Sequence, residues 1–246
     1  MGKKAEKNQV RLDRFLADAG AGTRSEVKKM IQKGRVLVND QPASGPEQKI
    51  CPEHDRILLD GKEQAGAPEF LYYLLNKPAG YVSATQDSRD KTVMELLPKI
   101  ARRNLFPVGR LDKDTEGLLL ITDDGALAHE VLSPAKHVDK TYYARVKGIV
   151  TKEDQEAMKQ GVDIGEERLT MPAVLEILST DDEYSEILLT IREGKFHQVK
   201  RMMEAVGKKV VYLKRLSMGG LTLPEDLPIG QWRMLTAEER KIIKRL

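Results

Sequence analysis

Residues 109–125 read GRLDKDTEGLLLITDDG, and the two halves of this stretch decide how the rest of the chain is read. Residues 110–117 form a polar loop that runs straight into four apolar residues, 118–121. Such a run, closed by Asp123-Asp124-Gly125, reads as a short buried strand ending in a turn. A loop anchored on a buried strand is held rigidly, and loops of that kind carry catalytic side chains. Asp112 lies between Arg110 and Lys113, a setting that favours the ionised carboxylate. Asp112, Asp114, Glu116, Gly117 and Asp123 also fall on ligand positions of a calcium-binding loop. Residues 118–121 then fill the following positions with apolar side chains, and no amphipathic helix leads into Asp112, so no metal is expected there.

Around this centre, 246 residues are enough for a proper core and two domains. The net charge is only +3, but the cations are unevenly spread. Residues 1–38 carry ten Lys/Arg against four Asp/Glu, and residues 192–215 carry eight against two. Two basic segments on a nearly neutral chain suggest two patches that touch one polyanion, with ordinary solvated surface as the alternative. The single Cys51 excludes an internal disulfide and a cysteine-cluster metal site. No apolar stretch approaches the roughly 18 residues of a membrane span, and the N-terminus lacks a signal-peptide core. A cytoplasmic, monomeric protein without membrane contact is expected.

Toward the N-terminus, residues 70–75 read as a buried strand and Asn76-Lys77-Pro78-Ala79-Gly80 as a turn. Residues 61–69 have the composition of a linker. Before them, Leu12, Phe15, Leu16 and Ala19 follow helical spacing. Thr23 and Glu26 form a capping box for a second helix that turns Val27, Met30 and Ile31 inward. Strands at 36–38 and 57–59 follow, with turns at Asn39-Asp40 and Asp60-Gly61. Residues 1–8 read as a disordered basic lead-in. RLDRFLADAG, TRSEVKKMIQKGRVLVN and DRILLDG together resemble the S4 domain over residues 9–60. That resemblance implies an RNA-binding helix pair, with Arg11, Arg14, Arg24, Lys28 and Arg35 facing phosphate.

Toward the C-terminus, residues 126–132 read as a helix. Residues 140–146 alternate as a strand, so Tyr142 and Tyr143 face opposite sides, one toward a core and the other toward a cleft. A helix at 153–159, strands at 173–178 and 186–191, a basic turn running into a helix at 193–203 and a strand at 210–213 complete an α+β pattern. His54, His129, His137 and His197 are scattered, which argues against zinc. No GxGxxG, P-loop or GxSxG motif occurs, so no cofactor is expected.

LLNKPAGYV, GRLDKDTEGLLLITDDG, KTYYARV and EGKFHQVKRMMEAVG, in this order, resemble the motif set of the RsuA-type pseudouridine synthases. With the S4-like start the likeness covers residues 9–235. It implies a catalytic domain over residues 70–246, built on a largely antiparallel mixed sheet with flanking helices. It also implies an aspartate-dependent, cofactor-free isomerisation of uridine, with Asp112 as catalytic aspartate, Tyr142 as active-site tyrosine and Lys200 as basic partner. Arg110, Phe196, His197 and Arg201 are the implied RNA contacts. Asp114, Asp123 and Asp124 read as turn or capping residues. Lys200 in HQVKRM, where relatives acting on large-subunit RNA carry Arg, points to a uridine of small-subunit ribosomal RNA, by resemblance uridine 516 of 16S RNA. The implied partner is ribosomal RNA or the assembling small subunit. The alternatives are a synthase acting on large-subunit or transfer RNA, a non-catalytic assembly factor and a nucleoside hydrolase.

Overall fold

The computed structural model describes residues 9–64, 70–98 and 104–245. The lead-in at 1–8 and residues 65–69 of the expected linker lie outside the described residues. By its internal contacts the chain divides into two units between residues 69 and 70.

In the first unit, β1 (Val10–Arg11), α1 (Leu12–Asp18) and α2 (Arg24–Gln32) precede β2 (Val36–Val38), β3 (Gln41–Pro42), β4 (Lys49–Ile50), β5 (Ile57–Leu59) and β6 (Lys62–Glu63). The Thr23 capping box forms: Glu26 N donates to Thr23 Oγ1, and Thr23 N donates to Glu26 Oε2 at 2.8 Å. Leu12, Phe15 and Leu16 from α1 and Val27 and Ile31 from α2 close over Val36, Val38, Ile50 and Ile57. The sheet order is β3-β2-β5-β6, with β1 paired to β4 apart from it. Asp60 (φ 50°) and Gly61 (φ 76°) turn the chain back, so Lys62 and Glu63 extend this sheet into the stretch whose composition reads as linker. A polar turn followed by two charged residues leaves no apolar signal for such an edge strand.

The second unit contains β7 (Tyr72–Lys77), β8 (Phe106–Pro107), β9 (Glu116–Thr122), α3 (Gly125–Leu132), β10 (Lys140–Lys147), α4 (Lys152–Gln160), β11 (Val174–Thr180) and β12 (Tyr184–Ile191). It continues with α5 (Gln198–Ala205), β13 (Lys209–Met218), β14 (Leu221–Thr222), β15 (Trp232–Met234) and α6 (Ala237–Ile243). Its nine-stranded sheet runs β11-β12-β10-β13-β9-β7-β15, with β14 on β13 and β8 on β9. Among the described strand pairs only β9 and β13 run parallel. Period-two alternation splits β7 and β9 cleanly. Tyr73, Leu75, Leu119 and Ile121 join Tyr142, Ala144 and Val146 in one core with Met158 of α4 and Val199, Met202 and Met203 of α5. Tyr72, Leu74, Leu118 and Leu120 form a second core with Leu127, Ala128 and Val131 of α3 and Ile243 of α6. Both faces of β7 and β9 are therefore buried, which is why they read as unbroken apolar runs. No helix among the described residues is long and apolar enough to cross a membrane.

The parallel pair positions the loop at residues 110–117. Lys214 pairs with Glu116 and Arg215 with Gly117, so β13 extends well beyond the apolar run at 210–213. A Cβ on Gly117 would lie 2.2 Å from the Arg215 carbonyl oxygen, and its φ of +99° suits glycine alone.

Candidate active site

The stretch between Leu111 and Gly117 is held from below by one ammonium and from above by another. Lys77, at the end of β7, is fully buried. Its Nζ donates to the carbonyls of Thr115 (2.7 Å), Asp112 (3.0 Å) and Pro78 (3.1 Å), with that of Lys113 at 3.4 Å. Burial pushes its pKa down to about 8, opposed by the charges of Asp114, Asp112 and Glu116. Ser83 secures the start of the loop: its Oγ donates to Leu111 O at 2.9 Å and accepts from Leu111 N at 3.0 Å. Gly80 N donates to Lys113 O at 2.7 Å. With its carbonyls turned inward, the loop presents its carboxylates on the other side.

There Lys200, in the first turn of α5, meets both of them. Its Nζ lies 2.7 and 2.9 Å from the two carboxylate oxygens of Asp114 and 3.2 Å from Asp112 Oδ2. Burial pulls the Lys200 ammonium down, but the hydrogen bonds to Asp114 and Asp112 outweigh it and leave its pKa above the ordinary lysine value. Burial alone would raise Asp114, whereas the Lys200 hydrogen bond and charge hold it below the usual carboxylate range. Asp114, which reads as a turn residue in the sequence, is thus the nearer partner of Lys200. His197 Nε2 lies 3.6 Å from Asp112 Oδ1, on the opposite oxygen. Asp112 itself is partly exposed, with a quarter of its side chain open to solvent.

Tyr142 lies on the packed face of β10, in the same core as Leu111, and its hydroxyl has no hydrogen-bond partner among the described residues. Tyr143 faces the other way, where its ring meets that of Tyr212 at 6.0 Å. Arg110 is exposed and pairs with no described residue. Arg201 is engaged within the protein, donating to Glu166 at 2.9 Å, to the Phe196 carbonyl at 3.1 Å and to the Ile164 carbonyl. Phe196 is largely exposed and stacks on His197. Asp124 caps α3 by accepting from Leu127 N, and Asp123 accepts from Leu71 N.

In the first unit, Arg11 and Arg24 both clamp Asp13, whose side chain is fully buried. The Arg11 hydrogen bond, opposed by burial and aided by Arg24, brings Asp13 down to about 2. Arg14 meets Asp18 at 3.4 Å, Arg35 is paired with Asp60, and Lys28 is exposed without a partner among the described residues. Sequence reading passes over Asp13, Lys77, Ser83 and the Asp114–Lys200 contact. Among the described residues, Cys51, Glu53 and His54 bring metal-ligating atoms within 4.8 Å of one another, in the first unit and not at Asp112.

A carboxylate with an ammonium 3.2 Å away, on a loop fixed through its carbonyls, is equipped to attack an electrophilic carbon or to take a proton. A family model described as RNA pseudouridylate synthase matches residues 71–205, and one for the S4 domain matches residues 10–62. The "Uncharacterized RNA pseudouridine synthase YtzG" of Bacillus subtilis is 47% identical over 235 residues, covering 95% of this chain and 98% of that one. "Ribosomal small subunit pseudouridine synthase A" of Escherichia coli K12 is 41% identical over 231 residues, covering 94% and 98%. A crystal structure of a pseudouridylate synthase, 37% identical, matches with a TM-score of 0.66 over 95% of this chain and 99% of that one. The chain belongs to the RsuA-type family of RNA pseudouridine synthases, with an S4 domain ahead of the synthase domain.

Proposed function

We propose that this RNA pseudouridine synthase isomerises one uridine of small-subunit ribosomal RNA, uridine 516 in conventional numbering, and that Asp112 performs the reaction. The substrate reading rests on similarity to relatives named for the small ribosomal subunit. The residue reading rests on one observation: Asp112 lies on a loop held by two ammoniums, with one oxygen 3.2 Å from Lys200 and the other 3.6 Å from His197 Nε2.

The reaction breaks the bond from uracil N1 to the sugar C1′, turns the base and rejoins it through C5. The C5 proton is lost and N1 gains one, so the change is redox-neutral. Asp112 either attacks C1′ or removes the proton from the neighbouring C2′. Lys200 keeps it aimed, as a point charge without the bidentate fork of Arg. Tyr142 offers a ring face to the detached uracil and a hydroxyl for the final proton transfer. The target base must leave its stack to reach Asp112, which costs a few kcal/mol. Arg110 and, in the S4 domain, Lys28, Arg14, Arg11, Arg24 and Arg35 offset that cost through phosphate contacts. The protein acts as a cytoplasmic monomer over its two domains, residues 9–60 and 70–246.

The test is pseudouridine mapping on unmodified small-subunit RNA, free and in assembling particles, with wild type and Asp112→Asn. One new pseudouridine with wild type and none with the variant is expected. A mark that persists in the variant removes Asp112 from the chemistry, and a mark on large-subunit RNA alone overturns the substrate reading.

A further inference from the structure

The exposed aromatic beside the reacting carboxylate is better built than its exposure requires. Phe196 is 74% exposed, more than any other large apolar side chain described. An aromatic so placed gains nothing from burial in the folded protein, and on a loose loop it would carry no argument. The backbone beneath it is anything but loose. The buried Gln198 accepts from Lys195 N at 2.9 Å and donates to Glu193 Oε1 at 2.8 Å, and the same oxygen accepts from Met171 N at 2.8 Å. Arg201 donates to the Phe196 carbonyl and is itself anchored on Glu166 and the Ile164 carbonyl. Hydrogen bonds within residues 193–201 and from them to Ile164, Glu166 and Met171 thus fix the position from which Phe196 projects.

His197 supplies the second half of the arrangement. It takes the left-handed conformation, φ 49° and ψ 34°, at the start of α5, a region that non-glycine residues rarely occupy. Its ring stacks on Phe196 with 3.8 Å between centroids and 19° between planes. Its Nε2 edge points at Asp112, 3.6 Å away. One face of the Phe196 ring is therefore covered by a ring that touches the reacting carboxylate, and the other face is open to solvent.

We propose that the open face of Phe196 is a stacking shelf for a nucleobase flanking the target uridine, and that His197 fixes the plane of that shelf relative to Asp112. The proposal rests on the pseudouridine synthase reading of this site. The base on the shelf is not the one that reacts, because the His197 ring stands between the open face of Phe196 and Asp112. Holding a neighbouring base on a fixed plane sets the path of the strand as the target leaves its stack. Stacking of this kind accepts any base, since each has a π-face, so Phe196 contributes to binding and register and not to base identity. Arg110, exposed two residues before Asp112, offers a cation for an adjoining phosphate.

The shelf is tested with Phe196→Ala, Phe196→Leu and Phe196→Trp, measuring release of tritium from C5-labelled uridine in unmodified small-subunit RNA. A residue this exposed is removed without loss of fold, which thermal unfolding of each variant checks. Phe196→Ala and Phe196→Leu are expected to raise KM about 10- to 100-fold, the loss of one base–aromatic stack, with kcat changed less than about threefold; Phe196→Trp should restore KM. An unchanged KM in the Ala variant, or a Leu variant equal to wild type, overturns the proposal. A second readout needs no turnover. In RNA carrying 2-aminopurine beside the target, binding of Asp112→Asn should quench the fluorescence, and Asp112→Asn with Phe196→Ala should not. Quenching that survives loss of Phe196 overturns the shelf, whereas failure of wild type to release tritium from any RNA overturns the catalytic reading instead.

Discussion

Replacing Lys77 by Met isolates what the buried ammonium does, because methionine keeps most of the stem and removes only the charged donor. Three carbonyls, of Thr115, Asp112 and Pro78, lose a partner at 3.1 Å or less, and that of Lys113 loses a longer one. The Asp112 carbonyl still accepts from Thr115 N at 3.1 Å and that of Lys113 from Gly80 N at 2.7 Å. An unpaired buried acceptor costs about 1–3 kcal/mol, so the other two, of Thr115 and Pro78, together reach several kcal/mol. Part is returned because a desolvated charge no longer has to be buried. The net loss should be about 3 kcal/mol, large for a single substitution. The effect on the reaction should be larger still in proportion. The loop that carries Asp112 loses its inner support, and a misplacement of about 1 Å costs on the order of 10²-fold in rate. Trp232, the single tryptophan, packs edge-on to Tyr73 of β7 at 5.1 Å, so its emission during urea unfolding follows the domain that contains Lys77 within the full chain. Tritium release supplies the rate. The pH dependence gives a third check with a definite sign. Lys77 falls from 10.5 in the unfolded chain to about 8 in the fold, so between those values the unfolded chain holds more protons. Wild-type stability should then rise from about pH 8 toward pH 10.5 relative to Lys77→Met, and the gain should vanish as pH falls through 8. A Met variant that unfolds within about 0.5 kcal/mol of wild type, well below the unpaired-acceptor cost, and reacts as fast would refute the carbonyl cage.

Two further substitutions probe the frame. Gly117→Ala places a Cβ against the Arg215 backbone at a positive φ, so it should separate β9 from β13 and cost more than about 3 kcal/mol, read by the same tryptophan emission; an unchanged midpoint would mean the parallel pair is not required. Asp13→Asn removes the carboxylate that joins Arg11 to Arg24 and should destabilise the S4 domain by about 2 kcal/mol, less than a fully buried pair because both arginines regain water. Because Asp13 is depressed to about 2, this contribution is present above about pH 4 and lost as pH falls through 2. Hydrogen exchange of the α1 and α2 amides measures it, and equal protection in variant and wild type at neutral pH would contradict it.

What the sequence revealed and what it withheld follow one physical division. Residues 118–121, the Thr23–Glu26 box and the stripe of Val199, Met202 and Met203 are local patterns, and each forms where its periodicity places it. Partner choice among charges is not local. Asp114 and Lys200 stand 86 residues apart, and nothing in either neighbourhood says that this aspartate holds the lysine more closely than Asp112 does. Lys77 sits in Asn76-Lys77-Pro78-Ala79-Gly80, which reads as a turn; only its place at the end of a strand buried on both faces directs the ammonium inward. Arg201 belongs to a basic run and reads as an RNA contact, yet its guanidinium braces the turn beneath Phe196. The run alone does not separate the two uses. Arg215 looks like the polar end of a strand and instead pairs with Gly117 and is almost wholly buried.

The two ammoniums divide the work of aiming Asp112. Lys77 takes main-chain carbonyls and so fixes where the loop lies, without touching any carboxylate oxygen. Lys200 takes side chains, but its two shortest contacts, at 2.7 and 2.9 Å, go to Asp114, and Asp112 receives a longer one at 3.2 Å on a single oxygen. Had Lys200 gripped Asp112 alone and on both oxygens, the lone pairs needed for attack or proton removal would be tied up in an ion pair that the substrate would have to break. Sharing the ammonium with Asp114 keeps it in place and charged before RNA arrives, and among the described residues leaves Asp112 Oδ1 with only the His197 edge at 3.6 Å. On the proposed chemistry, Oδ1 is then the oxygen that meets the sugar, and Asp114 serves by keeping the lysine from holding Asp112 too tightly.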